Sequence, residues 1–232
     1  MSRPDCACCY DVEFDDRSAR RELEDDRRRG PRPATRALAE ALAGGDATGL
    51  SVLDIGAGIG TVHRLLLEAG AATVIDVDAS RPYLSAAEAE ATRLGFGGRV
   101  QFIHGDFVAV VPEVPEVDVV ALDRVACCYP DATGLIGAAA SRARRRLGVV
   151  IPPDNWLARI AVGSVNAWQI LQRSRLRMQC HRHRVIAAAA EGAGLRWIRT
   201  DAIGVWRLLL FERPTAAAPP AGAGRAQAQA GG

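Results

Sequence analysis

The sequence VLDIGAGIG at residues 52–60 decides the fold of this chain. Asp54 stands at the end of a short apolar stretch, and Gly56, Gly58 and Gly60 follow at alternate positions. Glycine lets the backbone turn sharply and approach a ligand closely, and a helix beginning after such a loop presents free N–H groups. The segment therefore predicts a strand, a ligand-binding loop and a helix.

Apolar strands and helices alternate after this point. Residue Ser80 is a typical helix N-cap and opens a helix that ends at about residue 94. Alternation at this spacing predicts a parallel sheet with crossover helices on both faces. The other predicted helices are 59–69 and 132–146, and the predicted strands are 51–55, 73–77, 100–104, 117–122 and 148–151.

The C-terminal part departs from this alternation. Helices are predicted at 156–172 and 183–193, followed by strands at 195–200 and 205–211. Because the connection between these strands is so short, we expect them to be antiparallel. The fold class is thus α/β, with a Rossmann-like sheet of seven strands, mostly parallel, that ends in an antiparallel pair.

Three regions are predicted along the chain. Residues 1–45 contain a charge-rich helix at 15–29 and a second helix at 34–43, and we expect them to form a helical cap or lid. Residues 46–213 form the α/β domain. The tail, residues 214–232, is rich in Ala, Gly and Pro and is predicted to be disordered.

The spacing of the glycines helps to identify the ligand. A dinucleotide fingerprint, G-x-G-x-x-G, requires glycine at position 61, where this chain has Thr61. Asp78 ends the second strand, where a carboxylate can accept both ribose hydroxyls of an adenosine. Asp106 and Phe107 follow the third strand, and they suit an adenine amino group and the face of the base.

The series VLDIGAGIG, VIDVDAS, FIHGDF and VDVVALDRV resembles the motifs of class I methyltransferases over residues 48–213. The segment LDRVACCYPD and the late His181 also resemble a bacterial group close to magnesium-protoporphyrin methyltransferases. The resemblance implies S-adenosylmethionine as cofactor. It implies that Asp54 and the loop glycines hold the methionine part, Asp78 the ribose and Asp106 the adenine. The implied cofactor residues are Asp54, Gly56, Ala57, Gly58, Gly60, Asp78, Ala79, Asp106, Phe107, Asp123 and Arg124.

Few side chains are candidates for the base. All 29 basic residues are arginine, so no lysine can act as a base or nucleophile. Our candidates for catalysis or acceptor binding are His181, His183 and Tyr129, whereas His104 is interpreted as structural. A carboxylate acceptor needs no base at all. The resemblance implies a small-molecule acceptor, and we expect O-methylation of a hydrophobic or carboxylate-bearing molecule.

The cysteines leave a second chemistry open. Cys6, Cys8 and Cys9 do not have a standard zinc spacing, and we predict no metal site. Together with Cys127 and Cys128 they are still compatible with a thiol or metalloid centre as methyl acceptor. Further alternatives are an NAD-dependent oxidoreductase, which lacks the required glycine spacing here, and a module that binds the cofactor without turnover.

Composition limits the partners. The formal net charge is +2, and the segment after the fourth strand lacks an Asn/Asp-Pro-Pro-aromatic element, so we expect no nucleic-acid substrate. No apolar run reaches the roughly 18 residues that a membrane span needs, and we expect a cytoplasmic protein. The apolar helix at 156–172 suits the core or a homodimer interface better than a roof over a hydrophobic substrate.

Overall fold

The computed structural model describes residues 14–172 and 177–214. The strands in these ranges are β1 Ser51–Ile55, β2 Thr73–Asp78, β3 Val100–His104, β4 Val117–Asp123, β5 Ala143–Ile151, β6 Arg196–Ile203 and β7 Trp206–Glu212. The α-helices there are α1 Asp16–Arg29, α2 Pro33–Ala43, α3 Thr61–Glu68, α4 Arg81–Arg93, α5 Phe107–Val110, α6 Ala132–Arg142, α7 Trp156–Leu171 and α8 His183–Gly192.

The seven strands form one sheet in the order β3-β2-β1-β4-β5-β7-β6. The first five in this order are parallel, and β7 runs antiparallel to both β5 and β6. The predicted fold class is therefore confirmed. The strand order reverses between β1 and β4, and ligands of open α/β sheets bind in the crevice beyond the carboxyl ends of the strands at such a point.

Apolar side chains cover both faces of the sheet. Alternate residues of each strand point to opposite faces, so Val52 joins one core cluster and Leu53 joins the other. Leu38 and Leu42 of α2 pack in the cluster on one face, whereas Ile136 of α6 packs in the cluster on the other. The helices on both faces match the prediction from the strand-helix alternation.

The predicted boundary between the helix at 132–146 and the strand after it is wrong. The helix predicted at 132–146 ends at Arg142, and β5 begins at Ala143, five residues before the predicted strand at 148–151. Arg146 lies opposite Glu212 of β7, and its Nε donates to Glu212 Oε1 at 2.8 Å. This cross-strand pair outweighs the helix propensity of the arginine run.

The C-terminal strand pair is longer than predicted but has the expected direction. Strand β6 continues to Ile203, so only Gly204 and Val205 connect it to β7. Gly204 has a positive φ of 55°, which glycine adopts without strain in a two-residue hairpin turn.

Helix α7 does not belong to the core. None of its sixteen residues is buried in the described structure, so the interpretation of residues 156–172 as core is wrong. None of the helices within the described ranges is both long and apolar enough to span a membrane. Residues 1–13, with Cys6, Cys8 and Cys9, and the predicted tail beyond residue 214 lie outside the described residues.

Candidate active site

A cavity of about 280 Å³ opens at the carboxyl ends of the parallel strands. Its wall comes from the loops that follow β1, β2, β3 and β4 and from the N-terminal segment. Most of the predicted cofactor residues line it together with Tyr129. The predicted residues in the wall are Gly56, Ala57, Gly58, Asp78, Ala79, Asp106, Phe107, Asp123, Arg124 and Tyr129.

The glycine loop after β1 needs its glycines for conformation and for space. Gly56 and Gly60 have φ angles of 61° and 78°, in the left-handed region that favours glycine. A Cβ on Gly56 would come within 2.7 Å of Val125, and one on Gly60 within 2.5 Å of the His63 ring. Substitution at either position would therefore displace a wall of the cavity or the support beneath it.

Asp54 and Gly60 lie beneath the cavity rather than in its wall. Asp54 is fully buried, and its Oδ2 accepts the backbone N–H of His63 at 3.2 Å. The Nδ1 of His63 also lies 3.1 Å from that oxygen. Asp54 therefore holds the first turn of α3 under the glycine loop. The sequence analysis missed His63, for which the only signal was a polar residue in the apolar first turn of a helix.

A second buried carboxyl accompanies this pair. Asp76 on β2 is fully buried, and neither of its oxygens has a hydrogen-bond partner among the described residues. Burial, with smaller contributions from the charges of Asp54 and Asp78, raises the pKa of Asp76 well above its usual range. The buried carboxyl of Asp76 thus lies beside Asp54 and His63, with His63 Nδ1 3.8 Å from its Oδ2.

Asp78 joins two loops of the cavity. Its Oδ2 accepts the N–H of Gly58 at 2.9 Å, and its Oδ1 accepts the N–H of Ser80 at 2.8 Å. Burial raises the pKa of Asp78, while these two hydrogen bonds oppose the rise. The carboxylate is thus fixed in orientation at the end of β2, where the sequence predicts a ribose partner.

Asp106 and Tyr129 meet across the cavity. The Tyr129 hydroxyl lies 2.8 Å from Asp106 Oδ1 and 3.0 Å from Oδ2, and it donates to this carboxylate. Asp106 also accepts the N–H of Val108 at 3.0 Å as the N-cap of α5. Phe107 is buried beside them in the wall. The predicted adenine-binding residues are therefore adjacent, with Tyr129 engaged at the same carboxylate.

Asp123 and Arg124 form an ion pair at the end of β4. The Arg124 Nε and Nη2 donate to the two Asp123 oxygens at 3.0 and 2.9 Å. The Thr35 hydroxyl on α2 donates to the same carboxylate at 2.6 Å. Arg124 has a φ of 63°, a left-handed conformation that among the described non-glycine residues it alone adopts.

The N-terminal segment contributes wall residues that the sequence analysis did not predict. Phe14, Glu22 and Arg32 all line the cavity. Glu22 accepts a hydrogen bond from the Tyr83 hydroxyl at 3.0 Å and one from Arg32 at 2.7 Å. The Phe14 ring packs edge-on against Tyr83, with 5.7 Å between centroids. The dense charge pattern of this segment predicted a helical cap but gave no sign of these contacts.

Ion pairs attach α1 to the helices beside the cavity. Arg64 of α3 donates to Asp26 at 2.6 Å. Arg27 pairs with Glu90 of α4, and Arg93 pairs with the same carboxylate at 2.7 Å. These hydrogen bonds, Arg93 first, lower the pKa of Glu90 to about 2. The segment that we predicted as a cap is thus anchored against α3 and α4.

The two candidate histidines lie outside the cavity wall. His181 has a buried Nε2 without a partner among the described residues, and burial lowers the pKa of its ring. His183 is held by the Pro152 carbonyl, 3.1 Å from its Nε2, and its backbone N–H donates to Asp154 at 3.2 Å. Their catalytic role stays a prediction. His104 Nε2 lies 3.1 Å from the Ala79 carbonyl, as suits a structural residue.

Two cysteines lie where the loop after β4 meets the cavity. Cys128 lines the wall, and its Sγ is 3.7 Å from that of the buried Cys127. The hydrogen bond between the thiols and burial raise the pKa of Cys127. Within residues 14–172 and 177–214, no group of three or more His, Cys, Asp or Glu residues could hold a metal ion.

The sequence of this region matches a known family. Residues 52–147 match the family described as "Methyltransferase domain". Within these residues the chain has a methyltransferase domain, and its sheet has the strand order described above. S-adenosylmethionine is the cofactor of such a domain, as the resemblance implied, and similar structures hold S-adenosylhomocysteine or S-adenosylmethionine. No curated protein matches the methyltransferase by sequence.

Solved structures show the same fold. The magnesium protoporphyrin IX methyltransferase of Synechocystis, with bound S-adenosylhomocysteine, is 25% identical, with a TM-score of 0.62 over 78% of this chain and 82% of that chain. An O-methyltransferase family protein of Burkholderia thailandensis is 21% identical, with a TM-score of 0.69 over 88% of this chain and 62% of that chain. The mitomycin 7-O-methyltransferase is also 21% identical, with a TM-score of 0.57 over 77% and 54%. At 21% identity, the likeness concerns the fold alone.

Proposed function

We propose that this methyltransferase transfers a methyl group to an oxygen of a small molecule, and that this oxygen belongs to a carboxylate. The observation that carries the proposal is the composition of the cavity wall. Acidic residues and the glycine loop line the part assigned to the cofactor, and Arg32 and Arg124 are the cationic residues of the wall. Arg32 pairs there with Glu22 and Arg124 with Asp123, so an acceptor would bind the guanidinium N–H groups that these pairs leave. Arginine binds carboxylates through charge-assisted and often bidentate hydrogen bonds.

The cavity fits S-adenosylmethionine by the chemistry of its donors and acceptors. Asp78 would accept the ribose hydroxyls and Asp106 the adenine amino group, with Phe107 packed near the base. The glycine loop would hold the methionine part, because Gly56 and Gly58 present backbone without a side chain to the cavity. When bound, the cofactor supplies an electrophilic methyl group on a sulfonium with a neutral leaving group.

The acceptor must present a nucleophile without help from a histidine in the wall. Among the described residues that line the cavity there is no histidine. The Tyr129 hydroxyl donates a hydrogen bond to Asp106. A carboxylate is already deprotonated at neutral pH, so it needs only to be placed and desolvated. Arg32 and Arg124 would orient it, and α1 with Phe14 would exclude water.

The names of some similar structures agree with oxygen as the acceptor atom that we propose. Two of the similar structures are described as O-methyltransferases, and a third methylates magnesium protoporphyrin IX by its name. The match to a methyltransferase domain favours this reaction over an NAD-dependent oxidation. The same cavity and the low net charge support a small-molecule acceptor rather than a nucleic acid.

A second candidate acceptor is a thiol or a metalloid bound by thiols. Cys128 lies in the wall, with its Sγ 3.7 Å from the Cys127 sulfur. Replacement of Cys128 by Ser separates the two proposals. A carboxylate acceptor predicts that turnover persists in Cys128→Ser and that alkali releases methanol from the product, because a methyl ester hydrolyses and a methyl thioether does not. Loss of turnover in Cys128→Ser, together with an alkali-stable product of the unsubstituted enzyme, would instead favour sulfur chemistry.

Cofactor binding is tested by calorimetric titration with S-adenosylhomocysteine, with NADH as the negative ligand. We expect Asp78→Ala to weaken S-adenosylhomocysteine binding about 10- to 100-fold, the usual loss for hydrogen bonds to a charged group. Asp46→Ala is the matched control, because Asp46 is an exposed carboxylate before β1, at the opposite end of the sheet. Equal affinity in the Asp78 and Asp46 variants would contradict the assigned role of Asp78.

A further inference from the structure

Helix α7 exposes several large apolar side chains to solvent. Trp156, Trp168 and Leu171 are 68%, 62% and 73% exposed, and Leu157 and Ile160 are exposed by more than half. We call these five residues the α7 face. Isolated apolar residues are common on protein surfaces, but clustered ones mark a site that contacts another apolar phase.

The opposite side of α7 carries its polar groups. Asn166 binds Met178 in both directions, with its side-chain amide donating to the Met178 carbonyl and accepting the Met178 N–H, each at 2.8 Å. Gln169 also turns its Oε1 into the protein. The helix therefore directs its amides inward and its tryptophans outward, the reverse of a helix packed on a water-soluble domain.

The surroundings of α7 are basic. Residues 155–190 contain six arginines and no acidic residue, although the net charge of the whole chain is only +2. Arg159, Arg182 and Arg184 are exposed, and none of them forms an ion pair within the described residues. Because His183 contacts Pro152 and Asp154, the two arginines that flank it lie beside the start of α7.

We propose that the α7 face lies in the interface of an anionic lipid bilayer, with its tryptophans among the acyl chains and the nearby arginines on the lipid phosphates. A helix with an apolar, Trp-containing face and adjacent arginines has the composition that binds such interfaces. Juxtaposed arginines add attraction to anionic headgroups. The proposal is independent of the methyl acceptor, and it concerns attachment to the surface without a membrane span.

Charge argues against a second copy of the chain as the occupant. A symmetric dimer through the α7 face would bring the same surface of both copies together. Arg159 and its basic neighbours would then be present twice in one interface, with Asp154 as the acidic residue at the helix start. Like charges at an interface are unfavourable, whereas lipid phosphates compensate them.

The experiment uses the full chain saturated with S-adenosylhomocysteine and two kinds of vesicle, phosphatidylcholine alone and phosphatidylcholine mixed with phosphatidylglycerol. We expect binding to the anionic vesicles to be at least about tenfold tighter and to weaken at high salt. Tryptophan emission should shift to the blue on binding, because Trp156 and Trp168 leave water. No binding to anionic vesicles, or equal binding to both kinds, would overturn the proposal.

Variants locate the contact. Trp156→Ala with Trp168→Ala should lower vesicle affinity at least about tenfold, whereas Val205→Ala, at a valine 74% exposed in the β6–β7 turn, should leave it unchanged. Arg182→Gln with Arg184→Gln should cost about fivefold per arginine, and Arg20→Gln with Arg21→Gln on α1 is the charge control. Unchanged affinity for S-adenosylhomocysteine verifies that each variant is folded.

Sedimentation velocity in the absence of lipid tests whether a second copy of the chain occupies the α7 face instead of a bilayer. We expect the methyltransferase to sediment as a monomer, and the tryptophan variant to sediment identically. A concentration-dependent dimer that the tryptophan substitutions abolish would overturn the proposal and make the α7 face an interface between copies.

Discussion

Helices α1 and α7 both lie outside the two layers that cover the sheet, but composition and attachment are reversed between them. Helix α1 consists mostly of charged residues, with Ala19 as its buried residue, yet ion pairs hold it against α3 and α4. Helix α7 is mostly apolar, and none of its described residues is buried. Apolar composition therefore does not indicate which helix is fixed to the domain.

The difference lies in the partners that each helix meets. Arg27 finds Glu90 on α4, and Asp26 finds Arg64 on α3, so the charges of α1 are compensated in place. The α7 face meets no apolar surface within the described residues, and only the opposite side of α7 is bonded, through Asn166. If this comparison is right, small changes in the α1 network should cost more stability than large changes in α7.

The largest effect is expected at Glu90. Its side chain is 6% exposed, and Glu90→Ala leaves two arginines without a partner. Because Arg27 and Arg93 are half-exposed, we expect a loss of about 2 kcal/mol in the free energy of unfolding rather than more. Urea denaturation measures it, with Glu88→Ala, an exposed carboxylate on the same helix, as control. Equal costs at both positions would show that the ion pairs do not hold α1.

A smaller effect concerns pH. The folded-state pKa of Glu90 is about 2, below the ordinary value of 4.5. Since the folded pKa is lowered, the stabilisation is complete above about pH 4.5 and disappears as the pH falls toward 2. The stability difference between the wild-type chain and Glu90→Gln, about 1 kcal/mol at pH 7, should shrink over this window. A difference that stays constant from pH 7 to pH 3 would contradict the ionic origin.

The smallest effect is expected in α7. Trp168→Ala removes a large side chain that is 62% exposed, and alanine is a good helix former. The free energy of unfolding without lipid should change by less than about 0.5 kcal/mol. A loss above about 1.5 kcal/mol, of the size that large-to-small changes cause in a core, would mean that α7 packs against a part of the protein.

Much of the site could be predicted because its residues stand at the ends of strands, which the sequence pattern reveals. The carboxyl ends of parallel strands share one edge of the sheet. Three acidic residues stand at this edge, Asp78 and Asp123 as the last residues of β2 and β4 and Asp106 just after β3. Glu22 and Arg32 could not be predicted, since their place in the wall depends on how a separate helix docks. Arg146 was assigned to a helix because its partner, Glu212, lies far along the chain.

A backbone hydrogen bond connects the segment that follows α7 with the loop beside the cavity. The Gln179 N–H donates to the Cys127 carbonyl at 2.6 Å, and thereby joins the segment behind α7 to the loop that carries Cys128 into the cavity wall. If contact with a bilayer moves this segment, lipid binding at the α7 face is coupled to acceptor binding in the cavity. Coupling between binding sites is reciprocal, so any factor by which lipid changes acceptor affinity is also the factor by which acceptor changes lipid affinity.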